Sequence, residues 1–391
     1  MAEKIKILRI INRFNIGGPT FNATFLTAFL SDEFETKLIG GVPDEGEKDS
    51  LHIVEKYGVT PEVIPELQRN PNFASDKKAY NKIKSIIKEY KPDIVHTHAS
   101  KAGALGRKAA AACNVPIIIH TFHGHVFHSY FGKVKTEIIK NIERRLAKKS
   151  TRIIAISPKQ KIELSKEHKI ASRDKIELIP LGFDLAQFQE NRDKNRSTVR
   201  QKYNLADDTV AIAIVGRLAP IKDHDFFLEV IEKVLESTQK EIRVFIVGDG
   251  SEYSSIAAKA EFLNSKYGIK IILTSWIKDI ATFNAGMDII CLTSKNEGTP
   301  VSLIEAQASS LPVISTDVGG VADIVENEKT GFIIPKGNLE TYVQKLRLLI
   351  ENNELRLTMG ANGYPHVREK FHYNRLVSDV EKLYKKLLLE L

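Results

Sequence analysis

Cysteine is nearly missing from this chain: Cys113 and Cys291 are its only two. Two distant thiols make no disulfide framework, which excludes the small, disulfide-stapled secreted class and points to a reducing compartment, the cytoplasm. The chain also lacks any apolar run near ~18 residues, so no membrane-spanning helix is expected. Its first stretch, MAEKIKILRIINRF, is no secretory signal, because the short apolar run is broken by Lys6, Arg9 and Arg13. It reads instead as a buried first strand. Acidic residues are in the minority, 49 against 57 Lys and Arg, leaving a net charge of +8. That excess favours polyanions, anionic lipid surfaces or phosphorylated substrates. No recognisable nucleic-acid module accompanies it, so a nucleic-acid partner is not expected.

Much of the positive charge sits in KVKTEIIKNIERRLAKKSTR (133–152). On a helix, Lys140, Arg144 and Lys148 share one face and Ile138, Ile142 and Leu146 another. A solvated outer face explains this pattern; peripheral contact with an anionic membrane, or an acidic-acceptor patch, is the functional alternative.

What the chain does have is β-α alternation over 391 residues, a length that suits two domains. Ile- and Val-rich runs at 5–11, 36–41, 93–98, 116–122, 152–157 and 177–183 alternate with helix-period segments. A second series follows at 210–217, 242–250, 270–276, 287–293, 311–317 and 331–336. Each series predicts a parallel sheet covered by helices, an α/β architecture of two facing, doubly wound, Rossmann-like domains with a cleft between them. The polar stretch 189–204 marks the expected boundary, giving domains 1–190 and 191–369, with a terminal helix of about 370–391 packing back on the first. Ligands in such sheets bind beyond the carboxyl ends of the strands.

After one such strand comes KNEGTPVSLIEAQASSLPVISTDVGG (295–320), with Glu297 and Glu305 eight positions apart. Proline is favoured at the first helical position, so Pro300 is expected to open a helix that carries Glu305 and leaves Glu297 in the loop. Eight helical positions span ~12 Å, too far for two carboxylates to share a proton. They can instead accept hydrogen bonds from hydroxyls at two places on one elongated ligand. The amides of Thr299, Val301, Ser302 and Leu303 lie between them at a helix N-terminus suited to phosphate. Hydroxyl acceptor, phosphate cradle, hydroxyl acceptor is the layout a nucleotide diphosphate sugar requires.

The segment NEGTPVSLIEA followed by LPVISTDVGG resembles the signature of the family 4 retaining glycosyltransferases, which have the GT-B fold, and other pieces match along nearly the whole chain. The resemblance implies that Glu297 lies beside the donor sugar and Glu305 holds the ribose hydroxyls. In VGRLAPIKD (215–223), Arg217 and Lys222 follow a strand, where cations can stabilise a departing pyrophosphate. Family members carry a similar loop against the donor diphosphate. They also carry a Gly-Gly loop facing the phosphates, which implies that role for Gly17 and Gly18, two glycines able to adopt positive φ and admit a close backbone. In HTFHGHVFHSYF (120–131), Thr121-Phe122-His123 matches a family step that places a histidine near the reacting hydroxyls. His123 is the candidate, His125 a second choice, and Phe127, Tyr130 and Phe131 could line an acceptor channel. Zinc is not expected there, since no Cys or carboxylate completes the site. Ile277, in SWIKD (275–279), falls where relatives hold the nucleobase, although Ser275 replaces their usual glycine.

Asp223-His224-Asp225 is formally an Asp-x-Asp metal motif, but it precedes a helical run whose dipole aspartates complement. The expectation is therefore a metal-independent enzyme with no cofactor. The donor, UDP-linked by preference, would carry a hexose or N-acetylhexosamine to a hydroxyl of a glycan or lipid-linked acceptor. A sugar-nucleotide epimerase and a non-catalytic nucleotide-sugar-binding protein are the alternatives on the same fold. The expected location is the cytoplasm, with room for a peripheral place on the inner face of the membrane.

Overall fold

The computed structural model describes residues 3–15, 18–43, 50–68, 72–123, 133–268 and 270–391. His125, Phe127, Tyr130, Phe131 and Gly17 lie outside the described residues. The chain divides into one unit of Met1–Phe183 with Phe371–Leu391, and a second of Asp184–Lys370.

The first unit is built on a parallel sheet of β1 (Ile5–Ile10), β2 (Phe34–Gly40), β3 (Glu62–Val63), β4 (Ile94–His98), β5 (Ile117–Phe122), β6 (Arg152–Ala155) and β7 (Ile176–Leu178). Its spatial order is β3-β2-β1-β4-β5-β6-β7. Helices cover both faces, so the central strands are apolar almost throughout: Ile7, Leu8 and Ile10 are fully buried, as are Ile117 and Ile119. β1 pairs with β2 on one side and β4 on the other. The order thus reverses between β1 and β4, a switch point where the loops diverge and leave a crevice. Residues after β1 and β4 flank it.

The second unit repeats the plan with β8 (Val210–Val215), β9 (Ile242–Val247), β10 (Ile271–Thr274), β11 (Ile289–Leu292), β12 (Val313–Thr316) and β13 (Gly331–Ile334). Its order is β10-β9-β8-β11-β12-β13, with the reversal between β8 and β11. The segments that follow these two strands are 216–223 and 293–300. This topology brings the Lys222 loop to the Glu297 loop.

The boundary falls before the polar stretch, at Phe183, rather than inside it. Phe183 bridges to His372, within the first unit. Gln189, a few residues on, donates to Ser310 at 3.0 Å in the second. The charged residues that suggest a linker form a helix, Arg192–Lys202. Arg196 and Arg200 reach Asp288 at 2.8 and 3.2 Å, and Asp288 also accepts from the Ala211 amide at 2.7 Å. This helix is thereby pinned to the start of β8 and β11.

The terminal helix Tyr373–Leu389 buries Leu376, Val377, Val380, Leu383, Tyr384 and Leu387, a 3–4 spacing that makes one apolar stripe. The stripe packs with Ile7, Ile94, Ile117 and Ile119 of the first sheet. Its Tyr384 hydroxyl lies 2.5 Å from His96 Nδ1 and accepts from Arg9 at 3.2 Å. Arg9 and His96 are both fully buried.

Candidate active site

In the second unit, Lys222 closes a short 3-10 turn, Pro220–Lys222, just beyond β8. Glu297 lies in the loop after β11, as its sequence predicts. Lys222 Nζ donates to Glu297 Oε1 at 2.6 Å, and Ser294 Oγ donates to the same oxygen at 2.5 Å. One carboxylate oxygen is thus held by a cation and a hydroxyl, while Oε2 has no hydrogen-bond partner among the described residues. Thr293 Oγ1 donates to the carbonyls of both Lys222 and Asp223 at 3.1 Å, so the turn is tied to the β11 loop by its backbone as well. Arg217 is exposed and makes no ion pair with a described residue. Asp223 and Asp225, the formal metal motif, are engaged elsewhere. Asp223 pairs with Lys295 at 3.2 Å and Asp225 with Lys259 at 2.6 Å. Asp223 sits at the helix start with φ of 52° and makes no side-chain cap.

Pro300 is the capping residue of helix Val301–Ala308, with φ −71° and ψ 93°, so Val301 and not Pro300 is its first helical residue. Of the four amides expected to cradle phosphate, that of Leu303 is already engaged by the Pro300 carbonyl at 3.1 Å and must be removed from the set. Those of Thr299, Val301 and Ser302 donate to no described backbone carbonyl. Nothing caps the helix from a side chain, so those of Val301 and Ser302 are the unsatisfied first-turn amides of any helix start, and that of Thr299 lies just before the cap.

Glu305 is the fifth residue of the same helix, partly exposed, and its carboxylate has no hydrogen-bond or ion-pair partner among the described residues. Loss of hydration pushes it up to about 7, from 4.5. A half-buried acidic group with no donor among the described residues is one that hydroxyl donors would satisfy.

Two glycines that sequence reasoning passed over hold this loop. Gly319 has φ of +58°, and a Cβ there would stand 1.7 Å from the Glu297 carbonyl oxygen; at Gly320 it would stand 2.2 Å from that of Gly298. The chain after β12 therefore crosses the Glu297 loop backbone to backbone, which only glycine permits. The available signal was DVGG directly after a strand. Ser294 and Thr293 were also passed over, and nothing in their local sequence marks them; the contact with the β8 loop is what gives them a role.

In the first unit, His123 follows β5 and its Nε2 lies 2.9 Å from His98 Nδ1, at the end of β4. Both lie at the carboxyl end of the sheet because β4 and β5 pair in register, His98 against Thr121. Burial drives His123 down to about 3, and pushes His98 and His96 well below the usual imidazole range, each further lowered by its neighbours. All three rings are therefore neutral near pH 7. Among the described residues, His123 Nδ1 and His98 Nε2 are buried without partners, so one of them is a spare donor and the other a spare acceptor. His98 was not singled out by sequence reasoning, although the His-x-His of β4 could have drawn attention to it.

Gly18 opens the helix Gly18–Ala28 and is not in the positive-φ region. A Cβ there would meet only Leu181, at 3.9 Å. Among the described residues, neither a positive φ nor a close backbone approach requires glycine at Gly18. Ile277 lies beyond β10, half-buried beside the exposed Trp276.

Comparison with known proteins agrees in both units. The family model "Glycosyltransferase Family 4" matches residues 17–187, and "Glycosyl transferases group 1" matches residues 195–366. The chain is 31% identical over 324 residues to the UDP-Gal:alpha-D-GlcNAc-diphosphoundecaprenol alpha-1,3-galactosyltransferase of Escherichia coli, covering 82% of each chain. It is 30% identical to the capsular polysaccharide biosynthesis glycosyltransferase CapM of Staphylococcus aureus, over 84% of this chain and 85% of that one. Among solved structures, HepE of Anabaena in complex with UDP superposes with a TM-score of 0.81 at 17% identity, over 98% of this chain and all (100%) of that one. From the paired Rossmann-like sheets, the Glu297–Glu305 segment and relatives matched over most of their length, the chain belongs to the family 4 (group 1) glycosyltransferases and has the GT-B fold.

Proposed function

We propose that this enzyme is a retaining, metal-independent transferase that moves a hexose or N-acetylhexosamine from a UDP-sugar to a hydroxyl of a glycan or lipid-linked acceptor. One observation carries the reading: a single strand-loop-helix segment holds a carboxylate pinned by a lysine, three open amides and an unpartnered carboxylate. Glu305 accepts from the ribose hydroxyls, the amides of Thr299, Val301 and Ser302 receive the diphosphate, and Glu297 stands beside the sugar. Ile277 borders the base. UDP is preferred because the Escherichia coli relative is named for UDP-Gal and HepE is described with UDP and with UDP-glucose. The lipid-linked acceptor follows the diphosphoundecaprenol of the same relative's name. In this reading the protein works in the cytoplasm, at the inner face of the membrane that bears such an acceptor.

In the reaction, the bond between the sugar's anomeric carbon and the β-phosphate oxygen breaks, and the acceptor oxygen bonds to that carbon on the same face. The acceptor proton passes to the departing phosphate oxygen, so UDP leaves protonated once and no side chain becomes covalently attached. Lys222 and Arg217 offset the negative charge that builds on the diphosphate. Their cationic charge takes the part a divalent ion would play, and the two aspartates of the formal metal motif are already paired with lysines. A neutral His123 can orient the acceptor hydroxyl through Nδ1.

Calorimetric titration of UDP, GDP and ADP with EDTA present tests the donor site, repeated on Glu305→Ala. The expected result is UDP binding that survives EDTA and is lost in the variant. Binding that requires a divalent ion, or that is indifferent to Glu305, would refute the assignment. Incubation with UDP-sugars and a lipid-diphosphate acceptor then tests transfer, and NMR of the anomeric proton in the product tests retention.

A further inference from the structure

The carboxyl end of β4 holds a histidine that the transfer mechanism leaves without a role. His98 is fully buried, and its Nδ1 lies 2.9 Å from His123 Nε2. Its ring stacks on that of His96, with centroids 4.4 Å apart. His96 is itself locked. The Arg9 guanidinium, which can only donate, lies 3.0 Å from its Nδ1, so that nitrogen is bare. The proton of this neutral ring is therefore on Nε2, donated to Thr121 Oγ1 at 2.8 Å. Directly after His98, Ala99 has φ 64° and ψ 165°, a conformation that residues other than glycine rarely adopt. Such strain persists where the surroundings over-determine it. Here it turns the chain from β4 into helix Ser100–Ala112 while His98 stays in register with Thr121.

The bridge between His98 and His123 contains one proton. Burial holds both rings neutral, so each carries a single N–H. Two arrangements satisfy the bridge. Either His98 Nδ1 donates, which leaves His123 Nε2 bare and puts that ring's proton on Nδ1, or His123 Nε2 donates and its Nδ1 is bare. Among the described residues nothing partners His123 Nδ1 or His98 Nε2, so only the bridge couples the two rings. The proton balance of the proposed transfer chooses between the arrangements. There the acceptor hydroxyl gives its proton to the departing phosphate oxygen, and one lone pair of its oxygen attacks the anomeric carbon. Its other lone pair can accept a hydrogen bond. An N–H at His123 Nδ1 meets that need, whereas a bare Nδ1 would compete for the proton bound for phosphate.

We propose that His98 is a positioning residue for transfer: its Nδ1–H donates to His123 Nε2 and so holds the His123 ring with its N–H on Nδ1, the nitrogen that meets the acceptor hydroxyl. His98 acts through His123 and touches neither sugar. Once the bridge is removed, the His123 proton distributes between the two nitrogens and the ring loses the contact that orients it, so the hydroxyl is held less often in a reactive geometry. The acceptor hydroxyl in this inference comes from the transfer reading above. The bridge and its direction stand on the rings themselves and are read by spectroscopy.

The test compares His98→Asn, His98→Gln and His98→Phe in the full chain, with the UDP-sugar and lipid-diphosphate acceptor on which the parent acts. Asparagine places an amide where the histidine Nδ1 stands and can donate to His123. Glutamine places the same amide nearer the Nε2 position, and phenylalanine keeps the ring volume without a donor. His98→Gln and His98→Phe should lower kcat roughly 100-fold, and His98→Asn only about threefold. UDP affinity should stay that of the parent in all of them. In a His123→Phe background, adding His98→Gln should cost nothing further, because the two residues act as one unit. Nitrogen-15 NMR of histidine-labelled parent, assigned from the His123→Phe spectrum, should show His123 protonated on Nδ1 and bare on Nε2. Equal losses for the asparagine and glutamine variants at equal melting temperature would overturn the inference, as would full additivity with His123→Phe or a bare His123 Nδ1. Those outcomes fail this inference alone. A parent that transfers no sugar fails the functional reading, and this inference with it.

Discussion

Replacing Glu305 by glutamine removes an ionisable group that has no partner among the described residues, and the consequence for stability is opposite to that for function. In the folded protein the carboxyl titrates at about 7 rather than 4.5, because ionisation there forfeits hydration. Below the lower value both folded and unfolded states hold the proton, and the group is neutral toward folding. Between the two values the folded state holds a proton that the unfolded state has released, so stability falls as pH rises. Above about 7 both states are ionised and the folded state bears the whole desolvation cost. At 1.36 kcal/mol per pH unit the shift corresponds to at most about 3 kcal/mol, and partial exposure of the side chain reduces this to roughly 1–3 kcal/mol. Glu305→Gln should therefore raise the melting temperature of the ligand-free enzyme at pH 8, by roughly 2–10 °C for a unit of this size. The gain should shrink towards zero near pH 4.5. The same variant should lose most of its UDP affinity, since an amide is a weaker acceptor for ribose hydroxyls than a carboxylate. Scanning calorimetry at pH 5 and pH 8, with UDP titration of both proteins, checks the two halves together. A second readout follows from linkage: hydroxyls that donate to Glu305 favour its ionised form, so UDP binding near pH 6.5 should release a proton, seen as a binding enthalpy that depends on the buffer. A variant that is destabilised equally at both pH values, or binding without proton release, would refute the reasoning.

Lys222→Met should reduce transfer by about 100-fold or more, as removal of a charge-stabilising donor does elsewhere, while changing stability little, because the pair with Glu297 is partly exposed; steady-state kinetics beside thermal melting separate the two. Gly319→Ala should displace the Glu297 loop and cost roughly 2 kcal/mol or more, since both the φ of +58° and the 1.7 Å approach to the Glu297 carbonyl exclude a side chain; a parent-like melting temperature and UDP affinity would contradict this. Tyr384→Phe should cost about 1–3 kcal/mol by leaving buried Arg9 and His96 short of a partner, measured by urea unfolding, and truncation before Phe371 should prevent the first unit from folding. As pH falls from the ordinary imidazole range towards about 3 for His123, the unfolded chain takes up protons that the buried ring refuses. Stability should therefore drop on acidification across that window, and His123→Gln should flatten the drop in an acid-titration experiment.

Periodicity and local chemistry carry information that survives without a three-dimensional frame. Apolar Ile and Val runs marked the buried strands, because a parallel sheet covered on both faces needs an apolar side chain at nearly every position. The eight-residue step from Glu297 to Glu305 placed one in a loop and one on a helix, because that relation is local to a single segment. The polar stretch 189–204 was harder: charge density resembles a linker, yet Arg196 and Arg200 are drawn onto one buried-end aspartate far along the chain, Asp288. What the sequence by itself determined was the α/β plan, the two sheets and the segment that holds the candidate donor carboxylates. The tertiary structure alone decided that Lys222 shares Ser294's target oxygen, that Gly319 is wedged under Glu297, that His98 partners His123, and that Ile138 and Ile142 face solvent while Leu146 does not. Each of these is a contact between segments, or the choice of which side of a helix meets a neighbour, and strand order sets such choices through space rather than along the chain.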